Sequence, residues 1–244
     1  MFDLALAGSV ARLTLVRPEA RNAIPAHGWG DLAARAEEAV AAGARLLLVG
    51  GAGAAFCAGA DLGDFDALRD DPDARARFRT NMEDALERLA RVPIPTLALI
   101  HGACFGAGVA LAMACDLRLA APAARFGITP AKLGIAYPQS DVARLVALVG
   151  PGQASRLLFT AGTIDAGEAA RIGLVEIVSD DLESSAEALT QVVLANSAGS
   201  LAALKRGIGL ASAGHARDAG QDESFEALFG GEDLAARLAA FRGR

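Results

Sequence analysis

Residues 100–120 read "IHGACFGAGVALAMACDLRLA", and the folding of this stretch decides the architecture. Together with the residues before it, the segment from Val92 to Cys115 carries no Asp, Glu, Lys or Arg, and Gly102 and Gly106 form a GxxxG pair. An unbroken helix of that length would cross a bilayer. Pro93 and Pro95 at its start and a glycine-rich break in its middle divide it instead into "TLALIHG" and "GVALAMACD". A buried strand, a glycine turn and a buried helix fit that division better, so no membrane span is expected.

The same alternation extends outward. Upstream, "RLLLVGG" reads as a short buried strand and "GAGAAFCAGADLGDF" as a Gly/Ala-rich loop. Residues 74–91, "ARARFRTNMEDALERLAR", form a charged amphipathic helix stopped by Pro93. The opening "LALAGSVARLTLV" gives two strands around Gly8-Ser9, and "AHGWGDLAARAEEAVAAG" gives a helix ending at Gly43. Downstream, "DLRLAA" is a strand, and "SDVARLVALVG" and "GQASRLLFTAG" are two helices broken at Gly150-Pro151. Asp165 and Glu168 have capping-box spacing ahead of the strand "LVEIV". From Glu183 onward the pattern is helical. The class is therefore α/β, with a core over residues 1–180 and a helical carboxyl-terminal region over 181–244.

Composition narrows the function. Hydrophobic residues, mostly Ala, Leu and Val, make up 53% of the 244 residues, enough for a large core. A net charge of −6 argues against a broad basic surface for nucleic acid. Cys57, Cys104 and Cys115 are odd in number and contain no CxxC, which suits buried thiols in a reducing cytoplasm. The amino terminus "MFDLALAGSV" lacks a basic n-region and makes a poor signal peptide, so a cytoplasmic location is expected.

Most motif chemistries fail on inspection. Gly51-x-Gly53-x-x-Phe56 lacks the small third residue of a dinucleotide fingerprint, and no GxxxxGK[ST] occurs. His27, His101 and His215 are far apart, with no metal-ligand spacing, and no GxSxG elbow is present. Two loops of one type remain, "FCAGADL" and "GACFGAGVAL". Each could aim a free backbone N–H at one carbonyl oxygen, and small side chains admit a ligand to the backbone. Composition alone favours the plainer reading of tight turns and close packing.

In one order and at matching spacing, "RPEARNAI", "AFCAGADL", "IHGACFGAGVALAMACDLRLA", "ARFGITPAKLGI" and "LLFTAGTIDAGEAARIGLVEIV" resemble the crotonase, or enoyl-CoA hydratase/isomerase, family nearly end to end. The resemblance implies a spiral of ββα turns with a helical carboxyl-terminal region that forms a homotrimer or hexamer. It implies an enzyme acting on an acyl-CoA thioester through an enolate held by two backbone amides. Those amides carry over to Ala60 and Ala107. The loop Ala58, Gly59, Ala60, Asp61 and Leu62 would cradle the adenine end of coenzyme A, with Gly106 and Pro130 also contributing to the substrate site. Coenzyme A enters as part of the substrate, and neither a separate cofactor nor a metal is implied.

The departures concern acids. Family hydratases carry two glutamates, and this chain has Ala110 and Pro130 at those positions; the aspartate of dienoyl isomerases falls on Pro138. The stretch "ITPAKLGIAYP", holding the only tyrosine, Tyr137, resembles the methylmalonyl-CoA decarboxylase branch, although that branch has histidine at the position of Ala60. A phenol there would orient a leaving carboxylate and return a proton. Asp141 is the rival: it either caps a helix or points inward as a base or nucleophile, assisted by Gln139 and Ser140. Lys132 and Lys205 read as surface lysines, either of which could meet CoA phosphates. Decarboxylation and double-bond isomerisation are the expected reactions; a hydratase with substituted acid and base groups, or a non-catalytic acyl-CoA-binding homologue, is the alternative.

Overall fold

The computed structural model describes residues 1–242. Strands β1 (Phe2–Ala7) and β2 (Val10–Leu15) pair antiparallel about Gly8, whose φ of 60° suits a residue without Cβ. Alternation along β2 buries Ala11, Leu13 and Leu15. Helix α1 (Trp29–Ala41) buries Trp29, Leu32, Ala33, Ala36 and Ala39, a helical stripe against the core. Strand β3 (Leu46–Gly51) leads to the three-residue β4 (Ala55–Cys57) and then to α2 (Phe65–Asp70). Helix α3 (Pro72–Arg91) starts on Asp71, whose carboxylate accepts from the amides of Asp73 and Ala74, and buries Met82, Ala85, Leu86 and Leu89.

The deciding stretch folds as β5 (Thr96–Ile100), β6 (Ala103–Phe105) and α4 (Ala107–Ala114). Every residue of α4 is buried, as an all-round apolar helix must be. Then come β7 (Leu117–Ala120), β8 (Arg125–Gly127), α5 (Pro130–Leu133) and α6 (Gln139–Thr160). The expected break at Gly150-Pro151 is a kink within α6, where Gly150 adopts φ 73°. Strand β9 (Thr163–Asp165) ends on the Asp165 cap, whose side chain accepts from the amide of Glu168 and starts α7 (Ala166–Arg171). The expected strand "LVEIV" shortens to β10 (Ile177–Val178), and α8 (Leu182–Leu194), α9 (Ala198–Ser212), α10 (Ala219–Phe229) and α11 (Glu232–Arg242) complete the described chain.

Two sheets explain the winding. The larger has the order β1-β2-β3-β5-β7-β10 and the smaller β4-β6-β8-β9. Each turn gives a strand to the larger sheet and then a three-residue strand to the smaller, so β3/β4, β5/β6 and β7/β8 stack as successive parallel layers. This is the expected spiral of ββα turns. The short strands β4 and β6 lie inside segments that the sequence presents as a loop and a glycine turn. Helix α8 sets Ala186 against Leu46, Leu48, Leu97, Leu99 and Leu119 on the larger sheet. Helices α9, α10 and α11 bury none of their residues, and Phe225, Phe229 and Phe241 are exposed. No helix among the described residues is long and apolar enough to cross a membrane.

Candidate active site

The first loop leaves β4 at Cys57 and runs beside residues 21–24. Ala58 N donates to Arg21 O at 2.9 Å, Ile24 N to Gly59 O at 2.8 Å, and Asp61 N to Ile24 O at 2.9 Å. This short parallel bridge alternates its bonds, so the N–H of Ala60 faces the other way and donates to no atom of the described chain. Asn22 holds the arrangement. It is 1% exposed, adopts φ 58°, accepts from Arg17 N at 2.9 Å, and donates to Ala52 O at 2.9 Å and Ala55 O at 2.7 Å. The Arg17 guanidinium reaches both Ala23 O and Asp61 Oδ2 at 2.9 Å. The Gly63 amide, and then Arg17, hold the Asp61 carboxyl below its ordinary range. Sequence reading assigned Arg17 and Asn22 no role of their own; Asn22 follows Arg21 in a loop where both residues take positive φ, which only the structure shows.

The second loop turns at Gly106, with φ 52° and ψ −119°, and its amide donates to Gly127 O at 2.8 Å. Helix α4 begins at Ala107 with no side-chain cap, and the Ala107 N–H is free at the positive end of the helix dipole. Glycines press the two loops together. A Cβ on Gly59 would lie 2.8 Å from Phe105 O and 3.2 Å from Ala107 N, and one on Gly108 would lie 2.2 Å from Cys57 O. As it does for Leu62 and Gly108, the geometry thus leaves the backbone N–H groups of Ala60 and Ala107 unbonded, on loops in backbone contact. Such a pair can hold charge developing on one oxygen.

Tyr137 meets the second loop. Its hydroxyl donates to Gly106 O at 3.0 Å, and its ring is partly buried. Burial, and then the nearby Asp141, push its pKa above the ordinary value against the weaker pulls of Arg144 and the Ala110 amide, so the phenol stays neutral. With its one proton on a backbone carbonyl, the hydroxyl in this state has none to offer a substrate carboxylate.

Asp141 does not cap a helix. Pro138 is the N-cap of α6 with no side-chain bond, and Asp141 is 1% exposed in the first turn. Arg144 Nη1 lies 3.5 Å from Asp141 Oδ1 and pairs through its other nitrogen with Glu87 at 2.5 Å, while Asp141 Oδ2 has no partner. Desolvation outweighs Arg144 and, with Glu83, pushes the carboxyl up to about 6. The Ser140 hydroxyl is buried without a partner, and Gln139 is exposed.

The remaining expected residues are dispersed. Ala110 is buried in α4, Pro130 is buried at the start of α5, and Leu62 and Lys132 are exposed. Lys205 is not a free surface lysine: its ammonium binds Ile94 O at 2.9 Å and Asp116 Oδ2 at 2.8 Å, tying α9 to the sheet layer. Burial raises the Cys57 and Cys115 thiols to about 12, which leaves them protonated and non-nucleophilic at neutral pH.

Comparisons with known proteins agree on a family. The family model for enoyl-CoA hydratase/isomerase matches residues 6–227. A protein of Mycobacterium tuberculosis named "Probable enoyl-CoA hydratase echA8" is 33% identical over 95% of this chain and 91% of its own. The crystal structure of an enoyl-CoA hydratase/isomerase family protein from Hyphomonas neptunium superposes with a TM-score of 0.95 at 35% identity, over 99% of this chain and 94% of that one. A structure from Thermobifida fusca, named as an enoyl-CoA hydratase in complex with CoA, gives 0.79 at 31% identity over 100% and 95%.

Proposed function

The chain belongs to the enoyl-CoA hydratase/isomerase family, and from that premise we propose that it acts on an acyl-CoA thioester through an enolate, by decarboxylation. The observation that carries this reading is the pair of unbonded N–H groups at Ala60 and Ala107, in a site whose partly exposed ionisable group is a neutral phenol. By the resemblance, Ala110 and Pro130 stand where hydratases of the family carry glutamates, so neither hydratase base is present. Decarboxylation needs none. The bond from the α-carbon to a carboxylate breaks, CO2 leaves, and the bonding pair enters the thioester as an enolate. The two N–H groups hold the negative oxygen, and a solvent proton then restores the α-carbon.

The T. fusca relative was crystallised with CoA, which supports coenzyme A as the carrier of the substrate here; its cradle is assigned to the loop from Ala58 to Leu62 by the family resemblance. A second reading, double-bond isomerisation, is favoured by Asp141, whose unbonded Oδ2 and pKa of about 6 suit a carboxyl that takes and returns a proton. Assembly as a homotrimer or hexamer is supported by the uncovered apolar residues of α9, α10 and α11, and a reducing compartment by three buried free thiols.

A panel of CoA thioesters read by mass spectrometry tests the reading. Malonyl-type thioesters should lose CO2. Deuterium uptake by enoyl thioesters, with malonyl types untouched, transfers the assignment to isomerisation. Absence of any turnover above buffer leaves a binding protein and sinks both.

A further inference from the structure

The Tyr137 hydroxyl and the Ala107 amide belong to opposite ends of one peptide unit. The hydroxyl donates to Gly106 O, and Gly106 C=O is bonded directly to the nitrogen of Ala107. No peptide bond in the described chain is cis, so this C=O and N–H point in opposite directions across a planar, conjugated group. A proton donated to the oxygen draws electron density from the nitrogen and makes its N–H a stronger donor, the cooperative effect of chained hydrogen bonds. The same bond fixes the tilt of the peptide plane. Gly106 needs such fixing, because its φ of 52° and ψ of −119° lie where only glycine is at ease.

We propose that Tyr137 is a positioning residue that polarises and orients the Gly106–Ala107 peptide, so that the phenol strengthens the Ala107 N–H toward the thioester oxygen without touching substrate. Gly106 O also accepts from the amides of Val109 at 3.0 Å and Ala110 at 3.3 Å, so the turn persists when the phenol is lost, and only the phenol's share of the polarisation and orientation is removed. A direct proton donor would leave the bound carbonyl unchanged and alter only the later protonation. A polariser changes the carbonyl on binding, before any reaction. The inference rests on the reading of the Ala107 amide as part of an oxyanion hole.

Because the chain contains a single tyrosine, growth on 3-fluorotyrosine alters position 137 alone and makes the phenol a stronger donor. The probe is butyryl-CoA labelled with 13C at the thioester carbonyl, with its stretching band followed by infrared difference spectroscopy on the full chain. The wild type should lower the carbonyl frequency relative to free butyryl-CoA. The Tyr137→Phe variant should lower it less, and the fluorotyrosine protein more, at similar affinity. The enolate-forming step should slow about 2–8-fold in Tyr137→Phe, roughly a tenth to a third of the free energy lost with one oxyanion donor. A wild-type downshift matched by both altered proteins overturns the inference and leaves the proposed function standing. Bound butyryl-CoA with no downshift in the wild type overturns both. Should Tyr137→Phe misfold, the fluorotyrosine protein decides: an unchanged band refutes the polarising role.

Discussion

The loops that end at Ala60 and Ala107 and the segment from Tyr137 to Arg144 contrast in how their polar groups are satisfied. Around the loops most donors have a partner: the Asn22 side chain makes three hydrogen bonds, and Arg17 and Asp61 bind each other as well as backbone. Among the few N–H groups left over are those of Ala60 and Ala107, the two that the proposed chemistry uses. In the segment, by contrast, Ser140 Oγ and Asp141 Oδ2 are buried without partners and an ionisable carboxyl is held in apolar surroundings. A satisfied network fixes geometry; an unsatisfied one leaves protonation states adjustable. In the proposed mechanism the amide end is therefore the constant part of the machinery, and the segment is where the reaction is chosen.

Four measurements press on this contrast, the largest effect first. Hydration of crotonyl-CoA should fall far below that of a two-glutamate hydratase, since each general acid or base group contributes about 10²–10⁴-fold. Robust hydration by pure protein would mean that the segment from Tyr137 to Arg144 has replaced both acids. Next, Ala107→Pro removes one N–H at the first position of α4, where proline is tolerated in a helix. It should slow turnover about 10²–10³-fold, roughly 3–4 kcal/mol; full activity in a well-folded variant would show that this amide does not face the substrate.

Asp141→Asn is expected to change the pH dependence of stability. The carboxyl binds its proton more tightly folded, at about 6 against 3.8. Its contribution is therefore fully present below the unfolded value and is lost as pH rises through about 6. The loss is on the order of 3 kcal/mol at full deprotonation. Asp61, Asp181 and Asp218, whose pKa values are lowered, slope the other way, so the difference between wild-type and variant urea midpoints from pH 4 to 8 isolates the effect. A pH-independent difference would contradict the raised value. Asn22→Ala should cost about 2 kcal/mol of stability, because it strands buried backbone groups. Its catalytic loss should exceed that of a surface control; equal activity would separate the network from the amide loop.

The sequence exposed the fold through its glycine motifs and hid the parts that depend on very short elements. Strands β4, β6 and β8 are three residues each, too short for a period-2 pattern to register. The amide positions came from the family resemblance, since composition alone favoured tight turns and close packing; Gly59 and Gly108, which leave no room for a Cβ, meet that plainer demand as well. Asp141 was ambiguous because an acid in the first turn reads equally as a cap or as an inward group, and only burial decides. Lys205 was misread since nothing local announces an acceptor at Ile94 or Asp116, distant in the chain. Asn22 went unnoticed because its value lies in φ 58° and in carbonyls far along the chain.

The buried thiols make the chain its own reporter of loop opening. Cys57 and Cys104 are register partners across β4 and β6, the strands from which the two amide loops spring, and Cys115 follows α4 directly. All three are at most 3% exposed, so a thiol reagent attacks only molecules in which those layers have parted. The labelling rate in native buffer then measures how often the strands separate, and slower labelling of Cys57 and Cys104 with acyl-CoA present would count the ligand as a clasp across them.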